Sequence, residues 1–65
     1  YDYWITKAYI LLGDIYFKQK DYFNAKATFQ SVVDNTTDPE LKTEAQEKLS
    51  RVNAEDSQSS KVGEN

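Results

Sequence analysis

The sequence predicts an all-α fold, and three observations predict it. Apolar residues come in pairs that recur every three or four positions: Trp4 and Ile5, Ala8 and Tyr9, Leu11 and Leu12, Ile15 and Tyr16. That is helical periodicity. Two short polar breaks, around Lys20-Asp21 and around Asp38-Pro39, each place a capping Asp ahead of a new apolar pattern. Finally, the 65 residues contain no Cys and no His, so neither a disulfide nor a usual zinc site can hold so small a chain together.

The first helix is expected from about Tyr3 to Lys18. Asp2 is its N-cap candidate, and Lys18 and Lys20 fall where the helix dipole favours positive charge. The turn covers Lys18 to Asp21, and Asp21 caps the second helix, Tyr22 to about Asp34. Ala25, Phe29, Val32 and Val33 line one face of that helix.

Asn35 to Asp38 form the next break. Asp38 offers a capping carboxylate, and Pro39 follows at the first helical position, where a missing N–H costs nothing. The third helix is expected over Pro39 to about Asn53, with Leu41, Ala45, Leu49 and Val52 as a thin apolar stripe. Glu44 with Lys48, and Glu47 with Arg51, are spaced for i,i+4 ion pairs on its wet side. Residues 54–65 carry one isolated Val62 among polar side chains and read as a disordered polar tail. The expected core is Ala8, Tyr9, Leu12, Ile15, Tyr16, Ala25, Phe29, Val32, Leu41, Ala45 and Leu49.

Within the first two helices stands the pattern Tyr9-x2-Leu12-Gly13-x2-Tyr16, then Ala25-x3-Phe29, then Pro39. It resembles the tetratricopeptide-repeat signature, W-x2-L-G-x2-Y followed by A-x3-F and P. The resemblance covers residues 6–39, about one repeat. It implies an antiparallel helix hairpin over residues 1–38, with Gly13 facing Ala25 so that the two backbones approach closely. Residues 39–53 would be a capping helix, because continuing the register past Pro39 puts Thr43, Gln46 and Glu47 where the aromatic, Leu and Gly belong. Relatives often carry Gly where Lys20 stands, so Lys20 is expected to be left-handed at a cost of ~1 kcal/mol. The run Ile10 to Tyr16 and the run Asp21 to Lys26 are also similar to repeat proteins of bacterial origin, of the Bacteroidetes type.

The resemblance implies a protein–protein interaction scaffold, the C-terminal end of a longer repeat array, whose partner is a protein or peptide. In the family, the first-helix face that carries Tyr3, Lys7, Ile10, Asp14 and Phe17 here lines a concave groove. These five are the candidate partner-binding residues. The other expectation for them is packing on a preceding repeat, which leaves the segment a purely structural cap or dimerisation element. Some members grip a carboxylate with Lys and Asn on this face; Ile10 and Asp14 occupy those places, which argues against such a grip. Tyr1, Tyr3 and Trp4 cluster at the front, and an uncovered cluster of that kind predicts self-association of the fragment.

Several function classes are disfavoured. A net charge of −3 does not suit a nucleic-acid surface. The longest apolar run, Ala8 to Leu12, falls far short of the ~20 residues a membrane span needs. No phosphate-cradling Gly-rich loop occurs, and no nucleophile–base pair can be built without His or Cys. No catalytic residue, metal ligand or cofactor is expected. Asn35-Thr36-Thr37 matches an N-glycosylation sequon and reads as an inter-helix turn. The chain opens on Tyr1 without a cleavable signal pattern, so it reads as an excerpt of a longer protein located in the cytoplasm or a bacterial envelope.

Overall fold

Three α-helices follow one another: α1 (Tyr3–Lys18), α2 (Tyr22–Asn35) and α3 (Pro39–Gly63). The computed structural model describes the backbone of residues 2–63 and the side chains of residues 2–58. No strand occurs among the described residues. α2 is the central element and packs on both other helices, while α1 and α3 touch over a small area. The molecule measures 43 × 18 × 13 Å; the long dimension follows from the 25 residues of α3 at ~1.5 Å per residue.

Local chemistry sets each helix boundary. Asp2 Oδ1 accepts from the Ile5 N–H at 2.9 Å and starts α1. At its end, the Lys20 N–H donates to the Phe17 carbonyl at 3.0 Å and the Asp21 N–H to the Tyr16 carbonyl at 2.9 Å. That pair of bonds is a Schellman closure. It requires a left-handed residue at Lys20, whose φ is 62°. Asp21 Oδ1 then accepts from the Asn24 N–H at 3.3 Å and opens α2. Asp38 Oδ1 accepts from the Glu40 N–H at 2.9 Å and the Leu41 N–H at 3.3 Å, with Pro39 at the first helical position of α3.

The core consists of Ile10, Ala25, Phe29, Val32, Leu41, Ala45 and Val52, with Tyr16, Phe17, Tyr22, Val33 and Leu49 partly buried against it. Ala25, Phe29, Val32, Leu41 and Ala45 are where the sequence predicts them, and Tyr16 and Leu49 take part from the margin. Ala8, Tyr9, Leu12 and Ile15 are exposed and form no part of the core. α1 is turned so that Thr6, Ile10 and Gly13 are buried instead. Thr6 is admitted because its Oγ1 donates to the Asp2 carbonyl at 2.8 Å, which leaves no unpaired hydroxyl inside.

α2 comes close to α1 at Gly13, and the nearest atoms belong to Phe29. A Cβ placed on Gly13 would lie 2.5 Å from Phe29 Cε1 and 2.6 Å from Phe29 Cζ. The Phe29 ring fills the space that the glycine leaves. Burying that ring contributes roughly 1.5–3 kcal/mol, which outweighs the ~1 kcal/mol that Gly costs in a helix interior.

α3 also departs from expectation. It continues past Asn53 to Gly63, through ten positions read from the sequence as disordered tail. No Gly or Pro occurs between Pro39 and Gly63, so the sequence holds no stop signal there. Ala, Glu, Gln and Lys in this stretch are good helix formers. Val52 is buried, and Asp56 is paired with Lys26 of α2, which ties the extension down one turn beyond the apolar stripe. The end of the predicted tail, residues 64–65, lies outside the described residues.

Candidate functional site

With ~3.6 residues per turn, Leu11, Trp4, Ile15, Ala8, Leu12 and Ile5 succeed one another round about 120° of α1. None of them is charged, and all six are exposed. Trp4 is 77% exposed, Leu11 62% and Ile15 51%. The opposite arc holds Thr6, Ile10, Gly13 and Phe17 and faces α2 and α3. The bulkier, more apolar side of α1 is therefore the side turned to water. A helix apolar around most of its circumference is ordinarily buried on both sides. From Trp4 to Ile15 the uncharged face spans about three turns, long enough to seat another helix.

Phe23, at the start of α2, is a second large exposed apolar side chain, at 80%. Trp4 is steadied by an edge-to-face contact with Tyr3, ring centroids 4.9 Å apart at 87°. Exposed Trp and Tyr are side chains that often anchor protein contacts.

The five residues read as a partner-binding stripe divide. Tyr3 is exposed and Lys7 half-buried. Ile10 belongs to the core and presents no surface to a partner, because α1 turns this edge toward the other two helices. Asp14 is held by Lys48 of α3, whose Nζ donates to Oδ1 at 3.0 Å and Oδ2 at 3.2 Å. This pair replaces the predicted contact of Lys48 with Glu44. Phe17 rests against Tyr22 with ring centroids 6.0 Å apart.

Asp14 and Phe17 also line a small cavity of about 70 Å³ between α1 and α3, together with Phe29, Lys48, Arg51 and Val52. Its floor is aromatic and aliphatic. Two cations and one carboxylate surround it, and the carboxylate is paired with Lys48. The cavity is wide enough for a methyl-sized or amide-sized group and too small for a drug-sized ligand.

The remaining residues named from the sequence are structural. Tyr9 and Tyr16 run along the side of α1 between the buried edge and the open face, with Tyr16 the more covered, and Leu12 belongs to the open face itself. Gly13, Ala25 and Phe29 make the α1–α2 contact, and Pro39 starts α3. Asn35, the sequon asparagine, is the last residue of α2; its amide donates to the Ser31 carbonyl at 2.8 Å. Among the described residues no cluster of three His, Cys, Asp or Glu could hold a metal ion. No described helix is long and apolar enough to cross a membrane.

What sequence reasoning missed is the outward turn of α1. The signal available was the pair of small residues Thr6 and Gly13 seven positions apart, which marks the edge that lets a neighbouring backbone come near. Comparison of the chain with protein-family models, with curated proteins and with solved structures finds no match.

Proposed function

We propose that this chain is a protein–protein interaction element that works by contact and performs no chemistry. The open apolar face of α1, built from Trp4, Ile5, Ala8, Leu11, Leu12 and Ile15, carries the reading. In this reading the helices form a tetratricopeptide-type hairpin with α3 as the closing helix, the C-terminal end of a longer array. The match of Leu12, Gly13, Tyr16, Ala25 and Phe29 to that signature supports it. So does the use of Gly13 to admit a large ring from the second helix.

The face suits a helix better than an extended strand. Its apolar positions repeat at spacings of four, three and four, which offers ridges and grooves to a second helix. An extended peptide would need backbone hydrogen-bond partners, and this face has no polar side chain to provide them.

A photo-reactive amino acid at Leu11 of the full-length protein, expressed in its own cells, tests the proposal. Covalent protein adducts at Leu11, and none at Lys42 on the exposed side of α3, are expected. Equal labelling at the two positions, or no protein adduct at Leu11, contradicts it.

A second reading follows from the cavity between α1 and α3. Phe17, Asp14, Lys48 and Arg51 surround a recess that accepts one small side chain of a bound peptide. Here the first-helix stripe takes part through Tyr3, Asp14 and Phe17, without Ile10. Arg51→Ala, at an exposed residue of the cavity rim, would weaken capture under this reading and leave it intact under the first.

A further inference from the structure

The occupant of the open α1 face can be specified from its own pattern. Trp4, Ala8, Leu11 and Ile15 form its central row, and the spacings of four, three and four read the same in both directions. An antiparallel copy of the same helix, related by a two-fold axis between Ala8 and Leu11, sets Trp4 against the partner's Ile15 and Ala8 against the partner's Leu11. Each level then joins a larger side chain to a smaller one, which is the complementarity that close packing needs. A parallel copy would set Trp4 on the partner's Trp4 and Ala8 on the partner's Ala8, giving a clash at one level and a gap at the next.

Charge points the same way. Lys7 and Asp14 lie on one edge of this face, beside Leu11. Lys7 makes no ion pair among the described residues. Asp14 accepts two bonds from Lys48, and its side chain remains 32% exposed, so its carboxylate can accept more. In the antiparallel arrangement Lys7 meets the partner's Asp14 on one side of the two-fold axis, and Asp14 meets the partner's Lys7 on the other. In a parallel arrangement the two-fold axis runs along the helices and carries these edges to opposite sides of the seam, so Lys7 and Asp14 would face the partner's uncharged Ile5 and Leu12 edge and gain no ion pair. The macrodipoles of the two α1 helices are also opposed only when the helices are antiparallel.

We propose that this chain self-associates through α1 as an isologous, antiparallel pair, with Trp4 and Ile15 at its ends and Ala8 and Leu11 at its centre. The proposal rests on the reading of α1's outer face as a contact surface and names a second copy as what covers it. Closed two-fold pairing through one patch is the commonest form of self-assembly in soluble proteins. It also gives a chain of this size the second layer that its own three helices do not supply to α1.

Because the chain has no cysteine, engineered thiols report the register without interference. Ile5→Cys and Ile15→Cys chains are prepared separately and then mixed under mild oxidation, with Trp4 retained in both. The antiparallel register puts Ile5 of one chain beside the partner's Ile15. It separates Ile15 from the partner's Ile15 by about 16 Å at ~1.5 Å per residue. The expected result is a cross-linked species in the mixture and little or none in either chain alone. Wild-type chain should sediment as a dimer, and Leu11→Glu should sediment as a monomer with an unchanged circular dichroism spectrum. Efficient cross-linking of Ile15→Cys with itself would overturn the antiparallel register. A wild-type monomer at every concentration tested would overturn self-association altogether. The photo-adduct experiment at Leu11 fails separately from these, since a different protein captured there leaves the contact face standing without a second copy.

Discussion

The ring of Phe29 occupies the space that a side chain on Gly13 would need. Cε1 and Cζ lie 2.5 and 2.6 Å from where a Cβ would stand. Phe29 is buried, so its ring cannot swing out to solvent without leaving the core. The contact fixes the rotation of α1 about its own axis, and that rotation decides which of its two apolar sides is left open.

Gly13→Ala is therefore expected to destabilise the fold even though alanine is the better helix former. The gain in propensity is ~1 kcal/mol, against an overpacking cost of roughly 1–3 kcal/mol. Gly13→Leu should prevent α1 from docking at all. Thermal melts followed by circular dichroism check both, and a higher melting temperature for Gly13→Ala would contradict the packing.

The two sides of α1 should respond oppositely to substitution. Ile10→Ala removes a buried side chain and should cost roughly 2–4 kcal/mol. Leu11→Ala removes an exposed one and should stay within about 0.5 kcal/mol of wild type at concentrations too low for association. Urea titration of the dilute chains measures the contrast.

Lys20 holds a left-handed backbone with φ of 62°. Lys20→Gly should relieve about 1 kcal/mol of strain, part of which is lost to the greater freedom of glycine in the unfolded chain. A rise of a few tenths of a kcal/mol in unfolding free energy is the expected outcome. Lys20→Val should move the other way, because a β-branched residue tolerates this conformation least.

A chain ending at Asn53 should lose helical signal in proportion to the α3 residues removed. It loses the Lys26–Asp56 pair as well, whose partners are 36% and 34% exposed. A pair so open to water is worth no more than about 1 kcal/mol. The shortened chain should thus remain folded with its core intact. An unchanged far-ultraviolet signal per chain would contradict a helix running to Gly63.

The caps, the breaks and the order of helices were legible because each depends on a few neighbouring residues. Asp2, Asp21 and Asp38 accept backbone N–H bonds at the helix starts that the sequence indicates. Lys20 has the left-handed angle that its place in the turn demands. The facing of α1 was less legible, since apolar residues cover most of that helix and periodicity alone names no inner side. The more apolar side was expected inside, whereas Thr6 and Gly13, small enough to admit neighbours, are what turn inward. This also moved Ile10 from the expected partner stripe into the core. The continuation of α3 was missed because low hydrophobicity was read as disorder, although the segment lacks a helix stop before Gly63.

The most direct test of the account is the proton–proton contact pattern of the Phe29 ring in a nuclear Overhauser spectrum of the folded chain. Contacts from that ring to the Gly13 α-protons, and none to the methyl groups of Leu11 or Ile15, are predicted. Strong contacts from the Phe29 ring to Leu11 or Ile15 would place the bulky side of α1 inside and contradict the open face on which the functional reading stands.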